Sequence, residues 1–167
     1  MALTVEDGSI VTGAESLCSV EDADAYHSGR GNAAWAALAT TALKEEALRR
    51  ATDFMRQRYR GRWQGCIVQK GQPQDWPRYD VEVDGYDVSS SIVPTEVVNA
   101  CAEYALRAAS STLYADQERA VKREKVDVLE VEYSEFSSQS VRYPAIDAML
   151  SPFLNGGRAG GVTVVRT

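Results

Sequence analysis

The sequence has few side chains that bind transition metals. Among its 167 residues there is a single histidine, His27, and there are three widely spaced cysteines, Cys18, Cys66 and Cys101. No two cysteines form a CxxC pair, so the ligands of a tetrahedral zinc site are too few. We therefore interpret the cysteines as free thiols in a reducing compartment, not as a metal site or a disulfide framework.

The sequence also lacks the short motifs by which many enzymes are recognised. It contains no GxxxxGK[ST] phosphate loop, no GxGxxG, no GxSxG nucleophile elbow, no HExxH and no EF-hand loop. His27 falls in a predicted helix without a nucleophile near it in the sequence, so we interpret it as a surface or capping residue. We therefore expect no enzymatic activity, no cofactor and no bound metal.

Long apolar runs are absent as well. No stretch approaches the roughly 18 apolar residues that a membrane-spanning helix needs, and MALTVEDGSI at the N-terminus has acids where a signal peptide has Lys or Arg. The sequence thus predicts a protein that folds in the cytoplasm and has no membrane partner. With 44% hydrophobic and 25% charged residues, its composition is typical of one globular domain.

An excess of basic residues is missing too, because the net charge is −6. A protein that mainly binds nucleic acid usually carries the opposite sign. In one local stretch, RQRYRGRW, four arginines surround two aromatic residues: Arg56, Arg58, Arg60, Arg62, Tyr59 and Trp63. Such a cluster is typical of a single-strand-binding groove, or of a helix C-terminus whose arginines pair with acids of a neighbouring chain. The acidic net charge favours the second interpretation.

Helical periodicity is the strongest pattern that is present. Ser19 followed by Asp22 predicts an N-cap, and Gly29 and Gly31 predict the end of this first helix. We predict further helical segments at Ala33–Leu38, from Thr40 or Thr41 to about Arg60, from Pro94 to about Asp116, and from Tyr143 to Pro152. The helix predicted from Thr40 or Thr41 to about Arg60 carries a continuous apolar stripe, which indicates a helical core.

The connection between the two long helices, from Trp63 to Pro94, shows little periodicity, and connections of this length usually carry function. Its stretch YDVEVDGYDV predicts a small hairpin with a turn at Asp84-Gly85. Apolar residues there alternate with the acids Asp80, Glu82, Asp84 and Asp87. We interpret these acids as the solvated face of the hairpin, with a divalent cation as the alternative. We expect Trp63 and Trp76 to anchor the ends of the connection in the core.

The last third of the sequence predicts β-structure. KREKVDVLEVEYSE alternates between apolar and charged residues and predicts one half-buried strand, while NGGRAGGVTVVRT is a glycine-rich spacer followed by four residues of high strand propensity. Together the patterns predict a mainly α, α+β fold, with three to four bundled helices and a β-strand or hairpin. We predict one domain at 1–154 with a projecting loop at about 64–94, and an extended C-terminal arm at 155–167.

Four stretches carry a resemblance that covers nearly the whole chain. They are LTVEDGSIVTGAES at 3–16, SVEDADAYHSGRGNAAWAAL at 19–38, DWPR at 75–78 with IVPTEVVNACAEYALRA at 92–108, and VDVLEVEYSE at 126–135 with YPAIDAMLSPFL after it. The chain resembles a family of head-to-tail connector, or adaptor, proteins of tailed bacteriophages. Proteins of this family are often labelled DnaT-like single-stranded-DNA-binding proteins, and that label implies single-strand binding as the alternative function.

The resemblance implies a structural protein of the virion and not an enzyme. It implies a homo-oligomeric ring, usually of twelve subunits, which is assembled in the host cytoplasm and lies below the portal protein at the neck. Such a ring extends the DNA channel, through which genomic double-stranded DNA passes without sequence-specific binding. It also offers a docking surface for tail, stopper or tail-terminator proteins.

Within this interpretation, charge and strand propensity suggest three sets of contact residues. The contact between subunits is predicted to use basic and acidic residues of opposite faces: Arg49, Arg50, Arg56, Arg60, Glu21, Asp22 and Asp24. The projecting loop, which faces a tail-side partner or the channel, is predicted to use Asp80, Glu82, Asp84, Tyr86 and Asp87. The arm, which adds a strand to the portal or a neighbouring subunit, is predicted to use Gly156, Gly157, Arg158, Val162, Val164 and Val165.

Overall fold

The computed structural model describes residues 2–113, 123–126, 129–132 and 142–156, and it describes only the backbone of 123–126 and 129–132. The helices in these ranges are α1 (Val20–Ser28), α2 (Ala33–Ala36), α3 (Thr41–Tyr59), α4 (Thr95–Ser110) and α5 (Pro144–Leu150), followed by a 3-10 turn at Ser151–Phe153. The strands are β1 (Cys66–Ile67), β2 (Arg78–Tyr79), β3 (Glu82–Val83), β4 (Tyr86–Asp87), β5 (Arg123–Val126) and β6 (Leu129–Glu132). The predicted mostly helical α+β fold is therefore confirmed.

The strands pair as three separate antiparallel units, β1 with β2, β3 with β4, and β5 with β6. Two-stranded units are too small to be stable without other packing, so the helices must supply the core. In the part of the chain that the structure describes, no helix is both long enough and apolar enough to cross a membrane.

The core lies mainly between α3 and α4. The Thr40 hydroxyl caps α3 by accepting a hydrogen bond from the backbone N–H of Leu43 at 3.3 Å. The predicted apolar stripe of α3 is buried except for Leu43, which is 44% exposed. Full burial of a side chain such as Leu48 stabilises the fold by roughly 1.5–3 kcal/mol. Buried alanines on α4 allow close approach of the helices, and Thr52 of α3 contacts the Cys101 thiol of α4 at 3.3 Å.

The smaller helices pack around this pair. The Ser19 hydroxyl accepts a hydrogen bond from the backbone N–H of Asp22 at 3.0 Å, so the predicted cap of α1 is confirmed, and the helix ends at Gly29. Pro144 occupies the first turn of α5, where its missing N–H costs nothing. The fold is thus a helical body from which the long connection between α3 and α4 departs.

The prediction that the helix from Pro94 continues to about Asp116 is wrong, because α4 ends at Ser110. The hydroxyls of Ser110 and Ser111 both donate hydrogen bonds to the carbonyl of Arg107, and Ser111 is extended, with φ of −154°. Serine side chains compete in this way with the helical backbone and favour helix ends.

The predicted single strand at 126–135 also differs from the structure. Strands β5 and β6 form an antiparallel pair in which Val126 lies opposite Leu129, so the stretch contains two paired strands and not one. A connection of two residues leaves little trace in an alternating sequence. The predicted burial of these side chains lies outside the described residues.

Candidate functional site

Arg58, in the middle of the arginine cluster, points into the protein. Its guanidinium donates a hydrogen bond to Asp147 of α5 at 2.9 Å and another to the Tyr59 hydroxyl at 3.2 Å. Tyr59 in turn donates to Asp147 at 2.5 Å and is in contact with the Tyr104 hydroxyl at 2.7 Å. Burial raises the pKa of Tyr59, so the phenol remains a donor. Arg58 therefore links α3 to α5 and, through the Tyr59 hydroxyl, to α4.

Two of the arginines predicted to contact a neighbouring subunit lie on the outer face of α3. Arg49 forms ion pairs with Glu15 at 3.0 Å and with Glu45 at 3.5 Å, whereas Arg50 is exposed and donates to the carbonyl of Glu46. Surface ion pairs contribute only about 0–1 kcal/mol each, so Arg49 can exchange its partners at low cost.

The remaining arginines gather at the C-terminal end of α3. Arg60 and Arg62 are exposed and Arg56 is half-buried, while the nearest acid, Asp75, lies 4.0 Å from Arg60. The two aromatic residues of the cluster are not accessible, because Tyr59 is 0% and Trp63 is 2% exposed. Nucleic-acid bases stack on exposed aromatic faces. The end of α3 therefore offers positive charge without an aromatic surface for stacking.

The acids predicted to contact a neighbouring subunit lie on α1, and they differ in whether they have a partner inside the protein. Glu21 and Asp22 are exposed on its first turn. Asp24 instead accepts hydrogen bonds from the Lys44 ammonium at 2.7 Å and from the Trp35 indole N–H at 2.6 Å. Burial alone would raise the pKa of Asp24, but these two donors outweigh it, and the pKa lies below its usual value. Asp24 thus already has an internal partner.

The first part of the long connection, Gln72–Arg78, is packed into the core. Trp76 is fully buried and meets Trp63 edge-to-face at 5.6 Å between ring centres, which confirms the predicted anchors. The Arg78 guanidinium is buried and donates to the carbonyls of Gln64 at 2.7 Å, Gly65 at 2.8 Å and Asp75 at 3.1 Å. Burial lowers the pKa of Arg78, and these carbonyls compensate part of the desolvation of its charge.

Two further side chains secure the same segment. The Gln74 amide donates to the carbonyl of Ala14 at 2.6 Å, and the Gln72 amide donates to the carbonyl of Pro77 at 3.0 Å. Asp75 accepts a hydrogen bond from the Trp63 indole at 3.3 Å, and burial raises its pKa despite this bond and the nearby arginines. The prediction that 64–94 projects as one loop therefore needs correction, because 72–78 is part of the core.

The second part of the connection does project. β3 and β4 form the predicted hairpin, with Asp84 and Gly85 at φ of 53° and 87°, which a two-residue hairpin turn requires. Val81 is 1% exposed and anchors the hairpin, whereas Tyr86 is 79% exposed. Its acids are all exposed: Asp80, Glu82, Asp84 and Asp87. Among the residues with described side chains, no three His, Cys, Asp or Glu residues are grouped so that they could hold a metal ion.

Exposed apolar side chains accompany these acids. All but one of the large apolar residues that are exposed in the described chain lie between residues 67 and 92: Ile67, Val68, Tyr79, Tyr86 and Ile92, with Leu43 as the exception. We call residues 66–71 and 79–92 the exposed lobe. Exposed apolar side chains that are concentrated in one segment beside charged residues favour a protein-binding surface.

One comparison with known proteins identifies a family. A family model described as "Putative DnaT-like ssDNA binding protein" matches residues 1–167. The chain belongs to this family. No curated protein and no solved structure matches the chain.

This family membership accounts for the label expected from the resemblance, and the stretches that carried the resemblance have clear structural roles. DWPR supplies Trp76 and Arg78 to the buried part of the connection. The stretch at 19–38 spans α1, the loop after it and α2. These residues stabilise the fold, and their contacts do not identify a partner of the exposed lobe.

The expectation that His27 lies at the surface is wrong, because its side chain is 1% exposed. Its Nε2 donates to the carbonyl of Ala102 on α4 at 3.1 Å, and its Nδ1 accepts from the Asn32 amide at 2.9 Å. Burial lowers the pKa of His27, so the neutral ring is favoured. The pattern of the sequence around His27 gives no sign of a partner more than 70 residues away.

A second residue that sequence reasoning missed is Glu6, which is 2% exposed. Its carboxylate accepts hydrogen bonds from the backbone N–H groups of Gly8, Ile10 and Val11, each at 2.9 Å. Glycine is required at position 8, since φ is +106° and a Cβ would lie 2.3 Å from the carbonyl oxygen of Ser91. Glu6 thereby shapes the N-terminal loop that supports the end of the exposed lobe.

The predicted arm begins where the described chain ends. The backbone N–H of Asn155 donates to the carbonyl of Arg62 at 2.6 Å, and its side-chain amide donates to the carbonyl of Trp63 at 2.9 Å. Gly156 is exposed, and Asn155 before it lies beside the start of the long connection. The other predicted arm residues lie outside the described residues: Gly157, Arg158, Val162, Val164 and Val165.

Proposed function

We propose that the protein is a structural head-to-tail adaptor of a tailed bacteriophage, which forms a ring below the portal and extends the DNA channel. The observation that supports this most is the exposed lobe, where apolar side chains and acids project from a segment fixed by Trp76 and Arg78. A rigidly anchored surface of this kind suits docking to other proteins, since little freedom is lost on binding.

In this role the helical body fixes the position of each subunit, and the lobe and arm make the contacts. The partners are other copies of the chain, the portal protein, and tail, stopper or tail-terminator proteins at the neck of the virion. Exposed acids suit a channel lining along which double-stranded DNA slides, because phosphates are repelled and not bound. A structural role of this kind needs no catalytic residue and no cofactor.

Single-stranded DNA binding is the second candidate, and the description of the family supports it more directly than it supports the adaptor. Arg60 and Arg62 at the end of α3 are exposed and could pair with phosphates. The buried state of Tyr59 and Trp63 and the net charge of −6 disfavour it. Tyr86, the most exposed aromatic residue among those with described side chains, lies among acids that repel phosphate.

One pair of measurements separates the two candidates. Mass photometry and electron microscopy of the protein mixed with the portal protein of the same phage should show rings on the portal. Binding to a fluorescent oligonucleotide, followed from low to physiological salt, should be weak and equal for the wild type and for a variant with Arg60→Ala and Arg62→Ala. Tight binding that the double variant loses, together with no ring on the portal, would establish the second candidate instead.

A further inference from the structure

A cavity of about 430 Å³ lies at the N-terminal end of α3. Its lining includes His27, Asn32, Ala33, Trp35, Ala36 and Lys44. We call it the Trp35 cavity. Its volume falls within the roughly 300–1,000 Å³ that small-molecule pockets occupy. The side chains of Ala33 and Ala36 at its edge are exposed.

The polar groups of the Trp35 cavity already have partners inside the protein. Both nitrogens of His27 are hydrogen-bonded, to Ala102 and Asn32, and the Trp35 indole and the Lys44 ammonium both donate to Asp24. A polar ligand would have to break one of these bonds. The cavity therefore suits an apolar group, such as an aromatic ring, that makes few hydrogen bonds.

The β3–β4 hairpin carries an exposed aromatic side chain. Tyr86 is 79% exposed and is the first residue of β4, directly after the Asp84-Gly85 turn. The hairpin is held at its base by buried Val81, whose carbonyl accepts a hydrogen bond from the backbone N–H of Val88 at 2.8 Å. Tyrosine is enriched among the residues that dominate binding energy at protein interfaces. Tyr86 is therefore presented on a rigid support.

The hairpin cannot fill the cavity of its own chain. Glu82, at the start of the hairpin, contacts Gln64 just beyond the end of α3, with its backbone N–H 3.5 Å from the Gln64 side-chain oxygen. Lys44, at the cavity, lies near the opposite end of α3, about 23 Å from Tyr59 at the helical rise of 1.5 Å per residue. The two strands of the hairpin are two residues long and span only about 7 Å.

Charge on the two surfaces is complementary. Tyr86 is flanked by Asp84 and Asp87, both exposed. At the cavity, Lys44 neutralises Asp24, while Arg30 is exposed in the turn that connects α1 to the cavity edge. Within the described part of the chain Arg30 has no ion pair; its guanidinium stacks on the Tyr26 ring at 3.6 Å. Arg30 precedes Gly31, which lines the cavity, so a cation adjoins the cavity and complements the acids beside Tyr86.

We propose that Tyr86 of one copy of the chain inserts into the Trp35 cavity of the next copy, with Asp84 and Asp87 facing Arg30. The inference rests on the proposed function, because it assigns the contact between subunits to particular surfaces. Since the two surfaces lie at opposite ends of α3, the contact is head-to-tail and generates a ring or an open filament. It replaces the predicted contact between the α3 arginines and the α1 acids.

Cross-linking of two single-cysteine variants tests this contact directly. Cys66 is the exposed native cysteine, and Cys18 and Cys101 are buried, so Cys66→Ser gives a background without an accessible thiol. Chains with Tyr86→Cys are mixed with size-tagged chains with Ala36→Cys and treated with a short bismaleimide, with and without the portal protein. We expect at least about tenfold more mixed dimer than from the control mixture with Tyr79→Cys, which carries its thiol on β2 of the same lobe.

Equal yields from both mixtures, or no mixed dimer in either mixture with or without portal, overturn the inference. A second measurement uses the native cysteines: Tyr86→Ala should weaken self-association at least about tenfold, whereas Tyr86→Phe should retain it. Rings seen on the portal with equal cross-linking yields would leave the adaptor function intact and refute only this contact. Preferential cross-linking without rings on the portal would support the contact and refute the adaptor.

Discussion

Gln72–Arg78 and the β3–β4 hairpin follow each other closely in the chain and are both rich in polar residues, yet one is buried and the other is exposed. In the first segment, Trp76 draws the chain into the core, and the polar side chains beside it reach backbone carbonyls. In the second, a tight turn at Asp84 and Gly85 closes a hairpin whose acids are exposed. The difference shows that available partners, and not polarity, decide which polar residues are buried.

This division gives the long connection two separate tasks. The buried segment fixes the middle of the connection to the body, and the hairpin that follows it is displayed on the surface. Breaking the anchor should therefore unfold the protein, whereas changing the hairpin should alter association and leave stability intact. The predictions that follow separate these two kinds of effect.

The largest effect is expected for Trp76→Ala. Removing a fully buried tryptophan should lower the free energy of unfolding by about 3–5 kcal/mol, because a cavity forms beside Trp63 and Phe153. Urea unfolding followed by circular dichroism measures this. The matched control, Tyr79→Ala in the exposed lobe, should change stability by no more than about 0.5 kcal/mol. Similar losses for the two variants would erase the distinction between the segments.

Arg78→Met should destabilise the protein by about 2–3 kcal/mol, because it leaves buried carbonyls of Gln64, Gly65 and Asp75 without a donor. Arg62→Met changes an exposed arginine and should stay within about 0.5 kcal/mol of the wild type. The same urea titration compares them. If Arg78→Met unfolds at the same urea concentration as the wild type, the hydrogen bonds from the guanidinium to these three carbonyls do not stabilise the fold.

Gly85→Ala should have a smaller effect, confined to the hairpin. A side chain at φ of +87° costs about 1 kcal/mol, so the amide of Val88 should exchange its hydrogen about fivefold faster. Gly61→Ala is the control, since Gly61 has no positive φ and no atom lies within 4 Å of the added Cβ. Unchanged exchange at Val88 would mean that the turn does not hold the hairpin closed.

The smallest expected effect is that of His27→Gln on the pH dependence of the unfolding free energy. His27 is another buried polar residue with partners inside the protein. Its pKa is lowered in the folded protein, so its stabilising effect is complete above about pH 6.5 and is lost as the pH falls from there through the folded value. Asp24 and Glu103 face His27. The pKa values of both carboxyl groups are lowered, so these groups take up protons only at a pH below their usual range. Between pH 8 and 5 the unfolding free energy of the wild type should therefore fall more than that of His27→Gln. Parallel pH curves for the two proteins would show that His27 does not titrate on unfolding.

The features that could be predicted from the sequence are those that depend on near neighbours. The cap at Ser19, the start of α3 near Thr40, the stripe of α3 and the turn at Asp84-Gly85 each involve residues a few positions apart, and the structure contains all of these features. Trp63 and Trp76 could be recognised as anchors because a tryptophan in a polar stretch has few other roles.

The features that could not be predicted depend on partners far along the chain. Arg58 meets Asp147 across 89 positions and His27 meets Ala102 across 75, so neither arginine clustering nor a lone histidine indicated burial. For the same reason the single-strand-binding interpretation of RQRYRGRW counted aromatic rings that lie in the core. Sequence spacing identifies surfaces only where the partner is local.

The adaptor account holds that a tailed phage encodes this chain, and its most direct test is an electron cryomicroscopy reconstruction of the neck of that phage. The account predicts a ring of this protein below the portal, with Tyr86 of each copy covered by the adjacent copy. A neck without this protein would contradict the account.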